Sequence, residues 1–143
     1  AELDDPRPRN MLAAKFSIPF ALATTLVNKN SQVLSFAGDA LTNEKTMALS
    51  KKVNVKEMSS MTEMLPQFRP AKVTIGLKSG EVFHHSVKTN KGDWQTPYSA
   101  DELEDKFYSL ANRSLKQKKS ETLYDKLQNL EQISDMRELF QSI

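Results

Sequence analysis

His84 and His85 are the only histidines in the chain, and the cations Arg7, Arg9 and Lys15 precede Ser17 and a long uncharged stretch. These are the residues whose type and placing could do chemistry. Neighbouring residues on a strand point to opposite faces, so the two imidazoles cannot both ligate one metal while the strand stays regular. With no cysteine in the chain and no carboxylate pair beside the histidines, the ligand set for a metal is missing and none is expected. No serine has the strand–turn–helix context of a nucleophile elbow. Four glycines cannot build a Walker loop or a dinucleotide fingerprint where one is needed, so no cofactor is expected. The Ser17 segment differs. Free N–H groups of a helix first turn, beside cations, suit a carboxylate or phosphate. Spacing alone favours the simpler reading, in which Ser17 only caps and the cations are solvated. The alternative is the wall of a site for small anions.

The elements that would position these residues follow from pattern. The lead-in from Ala1 to Asn10 is extended, because residues before Pro6 and Pro8 are pushed away from helix. Ser17 caps a helix with Pro19 in its first turn, running to about Val27. That helix is apolar nearly all round, so most sides must be buried, partly against something else. Residues 31 to 43 read as loop with one short turn, and a short helix follows over 44 to 51 with Met47, Ala48 and Leu49 as core contacts. Val53 and Val55 alternate with polar residues as a short strand. Met58, Met61, Met64 and Leu65 form one helical turn or a loose apolar patch before Pro66.

A β-hairpin joins Lys72–Lys78 to Glu81–Lys88 through Ser79-Gly80. A three-residue loop with Gly80 left-handed places Phe83, His85 and Val87 on the face of Val73, Ile75 and Leu77; a two-residue turn would exchange faces. The first register buries more apolar surface and is the one expected. Trp94 sits in the loop framed by Asn90 and Pro97, and Ser99 with Glu102 forms a capping box. Leu103, Phe107, Leu110 and Leu115 then share a helix face whose far end carries Arg113, Lys116, Lys118 and Lys119. That basic run reads as a helix end and not as a nucleic-acid patch. Ser120 and Ser134 would cap two further helices, the last with Leu139, Phe140 and Ile143. The order gives an α+β domain: a small antiparallel sheet with a hairpin flanked by helices, followed by C-terminal helices.

Composition bounds the rest. The chain has 143 residues, net charge +2, 38% hydrophobic and 27% charged residues, which suits one globular domain and gives no nucleic-acid footprint. The longest near-apolar stretch, Ile18 to Val27, is about half of the ~20 residues a membrane span needs. The absence of cysteine and the acidic start, lacking a basic leader, point to a reducing, cytoplasmic setting. The chain opens on Ala1 and not Met, which fits a processed product or a portion of a longer protein.

Ala14-Lys-Phe-Ser-Ile-Pro-Phe-Ala-Leu-Ala23, then Leu49-Ser-Lys-Lys-Val53, Val73-Thr-Ile-Gly-Leu-Lys-Ser-Gly80, Gly92 with Pro97-Tyr-Ser, and Glu102-Leu-Glu-Asp-Lys-Phe107 stand in a definite order. That ordered set resembles the MmgE/PrpD family of 2-methylcitrate dehydratase-like enzymes, over nearly the whole chain. The resemblance implies a C-terminal portion of a longer enzyme. Residues 1–118 would be an α+β lid domain, and residues 119–143 helices that rejoin an all-helical domain outside this chain. It implies a small polycarboxylate substrate such as 2-methylcitrate, and proton abstraction α to a carboxylate followed by dehydration, decarboxylation as in cis-aconitate decarboxylase, or epimerisation as in iminodisuccinate epimerase. It further implies a cytoplasmic homodimer in propionate metabolism, with no nucleic-acid or membrane partner. The family's acid–base residues have no matching positions here. The family's lid tyrosine matches Phe20, which has no hydroxyl to donate. Lys15, Ser17 and Phe20 are therefore the substrate-facing candidates. The rival is a non-catalytic binding module with the same fold.

Overall fold

The computed structural model describes residues 3–141, which divide into two compact units, one ending at Phe68 and one beginning at Arg69.

The first unit is helical. Helices α1 (Met11–Lys15), α2 (Ile18–Asn28) and α3 (Glu44–Ser50) pack with two 3-10 turns, Val33–Phe36 and Gly38–Thr42, and α4 (Ser59–Thr62) follows as one turn. Each longer helix starts on a side-chain cap: Asn10 accepts from the Ala13 N–H, Ser17 from Phe20 and Asn43 from Thr46. α2 ends where Lys29 turns left-handed, at φ 58°. The core is small: Ala14, Phe20 and Phe36, with Ala21, Leu41 and Met47 against them. The Phe20 and Phe36 rings lie 6.2 Å apart and tilted, within the range where aromatic pairs attract. Most of α2 is covered by this unit; Pro19, Phe20, Ala23 and Thr24 are buried, while Ile18 and Leu26 remain exposed. The unbroken apolar surface expected of α2 thus resolves into a buried face and an uncovered stripe.

Three local readings are corrected here. Residues 33–42 form two 3-10 turns instead of a loop with one turn, because Phe36 is drawn into the core. Ala48 is exposed and does not join the core, whereas Met47 does. Val53 and Val55 are not in a strand: alternation supplies the side-chain pattern, but a strand also needs a partner to satisfy its N–H and C=O groups.

The second unit begins with an antiparallel ribbon, β1 (Ala71–Gly76) and β2 (Val82–Val87). Ile75 pairs with Phe83, Val73 with His85 and Ala71 with Val87, the register that puts the apolar residues on one face. The loop is Lys78-Ser79-Gly80: Leu77 N–H donates to the Glu81 carbonyl at 2.8 Å, and Gly80 has φ 93°. His84 and His85 fall on opposite faces, and both are exposed.

The loop after the ribbon is tied internally. Gly92 N–H donates to the Thr96 carbonyl at 2.8 Å, and Thr96 Oγ1 donates to the Asn90 carbonyl. Helix α5 (Ala100–Ala111) opens with the expected capping box, Glu102 N–H to Ser99 Oγ at 3.2 Å and Ser99 N–H to Glu102 Oε2 at 2.8 Å. It stops at Ala111, before Leu115, and α6 (Gln117–Gln128) starts anew. Lys116, Lys118 and Lys119 therefore sit at the start of α6, the less favourable end for cations, and not at the end of a long α5. Ser120 is inside α6 and is no cap. Fully buried, its hydroxyl bridges the Gln117 carbonyl and Asn112 Oδ1 at the end of α5. Phe107, Tyr108 and Tyr124 close the α5–α6 contact with ring centroids 5.1–5.3 Å apart. A 3-10 turn, Leu130–Gln132, leads to α7 (Arg137–Phe140). Asp135, not Ser134, receives the first N–H of α7, from Arg137 at 2.9 Å. Leu139 is buried and Phe140 exposed; Ile143 lies outside the described residues. The architecture is α+β, with seven α-helices among the described residues and a two-stranded antiparallel sheet.

Two substitutions separate backbone strain from crowding. A Cβ at Gly80 meets open space, so Gly80→Ala is expected to cost about 1–2 kcal/mol, the left-handed penalty alone. A Cβ at Gly92, with φ 95°, would lie 2.5 Å from the Tyr98 ring, and Gly92→Ala is expected to cost about 2–4 kcal/mol. Urea midpoints of the two variants check the order.

Lys91 holds the Glu102 carboxyl below its ordinary range, first by a hydrogen bond, with the Ser99 N–H adding to it. The folded chain therefore binds this proton less readily than the unfolded chain. Its stabilisation is present at neutral pH and fades as pH falls through the lowered value. Glu102→Gln should melt earlier than the native chain at pH 7, with the gap closing below the usual carboxylate range. Melting curves across that range check it.

Candidate functional site

The expected site lies at the start of α2, where sequence places Lys15, Ser17 and Phe20. Here the chain folds back on itself. Ser17 Oγ accepts the Phe20 N–H at 3.0 Å and donates to the Asp5 carbonyl, while Ile18 N–H donates to the Leu3 carbonyl at 2.9 Å. Pro19 has no N–H, and Ala21 N–H already closes on the Ser17 carbonyl at 2.9 Å. Every first-turn donor of α2 is thus met from within the chain, so the outward-facing N–H groups expected as an anion cradle are taken. Ser50 Oγ, donating to the Pro6 carbonyl at 3.0 Å, fastens the same lead-in to α3.

The three candidates separate accordingly. Ser17 is 2% exposed and structural. Phe20 is fully enclosed and packs on Phe36, so its ring is a core element and does not line a cleft. Lys15 is exposed at the end of α1, as are Arg7 and Arg9 in the lead-in. Among the described residues these three cations form no ion pair. Carboxylate recognition here would fall to them and not to the helix end. No group of three or more His, Asp or Glu that could hold a metal comes together among the described residues.

Sequence reading passed over a second feature. Beyond the far end of α2, a shallow depression of about 390 Å³ is lined by Asn28, Asn30, Gln32, Ser35, Asp39 and Asn43, among others. A closed hydrogen-bond ring stiffens its rim. Asn28 Nδ2 donates to Thr24 Oγ1, Thr24 Oγ1 to the Ser35 carbonyl, Ser35 Oγ to Asn30 Oδ1, and Asn30 Nδ2 to the Asn28 carbonyl, at 2.7–2.9 Å. The amide-rich run Asn28-Lys-Asn30 was the available signal; it reads equally as a polar helix end.

The chain belongs to the MmgE/PrpD family: the model of the MmgE/PrpD C-terminal domain matches residues 2–132. Among curated proteins it is similar to human cis-aconitate decarboxylase, 27% identical over 132 residues, which are 91% of this chain and 27% of that protein. The chain spans about a quarter of the length of this relative. No helix among the described residues is long and apolar enough to cross a membrane.

The enclosure of Phe20 has a measurable consequence. Adding a hydroxyl with Phe20→Tyr should destabilise the chain by about 1–3 kcal/mol, because the ring is fully enclosed and the new O–H must be desolvated and fitted into packed surroundings. Denaturant midpoints check this; a neutral substitution would mean that the ring edge meets open space.

Proposed function

We propose that the chain is the C-terminal, lid-type portion of a cytoplasmic, homodimeric enzyme acting on a small polycarboxylate. The family match over residues 2–132 carries this reading. Residues 1–118 would form the lid and residues 119–143 would rejoin a helical domain outside this chain. The chemistry is abstraction of a proton α to a carboxylate, with cations stabilising the enolate charge that develops. Exposed Arg7, Arg9 and Lys15 support an anion-contacting role, since guanidinium and ammonium groups without partners can pair with substrate carboxylates. Exposed Leu12, Phe16, Ile18 and Leu26 support a covering partner, because apolar side chains of this size gain from burial.

Dehydration of 2-methylcitrate, within propionate metabolism, is one outcome of such chemistry. Decarboxylation of cis-aconitate is the second, favoured by the similarity to a cis-aconitate decarboxylase. Both substrates are assayed on the chain alone and on the chain joined to its upstream helical domain. The isolated chain is expected to be inactive and the joined protein active on one of the two; turnover by the isolated chain overturns the proposal. In the joined protein, Lys15→Gln should raise KM about tenfold with a smaller change in kcat, as loss of a charged hydrogen bond to bound carboxylate would.

A further inference from the structure

Strand β2 carries an edge that no other strand among the described residues covers. The sheet has two strands, and β2 is exposed along its whole length. Leu77 N–H on the Glu81 carbonyl starts the ladder, so alternation turns the backbone of Phe83, His85 and Val87 toward β1. Val82, His84 and Ser86 therefore direct their N–H and C=O groups away from β1. The apolar face is open as well: Phe83 is 55% and Val87 42% exposed, on the face of Val73 and Ile75. A two-stranded ribbon alone is marginal in water, whereas more strands sharing one apolar face are stable. An open edge of this kind is a template for a further strand.

We propose that β2 pairs antiparallel with β2 of a second copy about a two-fold axis at His84, joining the two ribbons into one sheet. Charge selects this edge. β2 is flanked by Glu81 and Lys88 and holds no acid, lysine or arginine, so antiparallel pairing sets the acidic end of each strand beside the basic end of the other. β1 carries Lys72 and is followed by Lys78, so self-pairing there would bring like charges together. Register follows too. Centring on His84 pairs Val82 with Ser86 and uses every outward position of β2. A shift toward Lys88 fails because its carbonyl already accepts from Arg69 N–H at 3.2 Å, and a shift toward Val82 runs Ser86 into the loop at Gly80. The same register sets Phe83 opposite His85 of the second copy in a non-hydrogen-bonded pair, where side chains lie closest. This surface deepens the homodimer proposed above and rests on that reading.

The test combines sedimentation equilibrium of the full chain with amide hydrogen exchange across a concentration series. A dimer is expected, with exchange at Val82, His84 and Ser86 slowing as it forms and exchange at Lys72, Thr74 and Gly76 unchanged. His84→Pro removes the central outward N–H and spares the ladder to β1, so it should weaken dimerisation by about tenfold or more. Thr74→Pro, the same change on the outer edge of β1, should not. Because residue 84 meets its own copy, His84→Lys and His84→Glu should each weaken the dimer, and mixing the two variants should restore it. A dimer whose β2 amides exchange alike at all concentrations, or no recovery on mixing, overturns this surface and leaves the homodimer reading standing. A chain that stays monomeric also overturns it; the homodimer reading falls only where the joined protein is monomeric too.

Discussion

The Ser17 hydroxyl is the constraint on which the helical unit depends. It accepts the Phe20 N–H and donates to the Asp5 carbonyl, so one oxygen both starts α2 and anchors the lead-in across its end. Ile18 N–H on the Leu3 carbonyl and Ser50 Oγ on the Pro6 carbonyl complete the seam. Buried polar groups of this kind matter through the cost of leaving them unpaired, about 1–3 kcal/mol each. With this seam in place, Phe20 turns inward onto Phe36 and the core forms around the pair. The anion-binding capacity of a helix end is the same capacity that the seam consumes; the chain uses it for folding.

What the sequence made legible was local. Ser17 as a cap, the Ser99–Glu102 box and the hairpin register each depend on residues within a few positions of one another, and each formed as read. The register followed from Gly80, whose positive φ allows a three-residue loop that brings Phe83 onto the face of Ile75. Readings that failed needed partners distant in sequence. Val53 and Val55 carry strand alternation without a strand to pair with. Ser120 looked like a cap because serine before a helical run usually is one, yet Asn112 at the end of α5 draws it inside α6. Phe20 was placed at a cleft through its matching position in the family, and only the fold of residues 3–36 shows it enclosed.

The family match and the distribution of charge bear on recognition in different ways. Membership in the MmgE/PrpD family concerns the whole of residues 2–132, whereas the candidate contacts occupy a short stretch at their start. There, Arg7 and Arg9 flank Pro8, and Lys15 ends α1. Arginine offers a planar fork that can meet a carboxylate through two parallel hydrogen bonds; a lysine ammonium is a point charge on a flexible stem. Recognition by such side chains differs from recognition by a helix end. It adapts to the separation between carboxylates, and it weakens with added salt because the groups are exposed.

The same reasoning separates the two ends of α2. At the N-terminus the backbone donors are satisfied and the cations stand outside on flexible stems. At the C-terminus the hydrogen-bonded ring holds the rim fixed, and the formal charges there include Lys29 at the C-cap as well as Asp39. Lys29 sits on the negative end of the α2 macrodipole, and sealing of the first turn leaves the positive end's contacts to side chains alone. The two ends of one eleven-residue helix therefore differ in kind: the lead-in backbone seals the first, and a ring of side-chain hydrogen bonds orders the second.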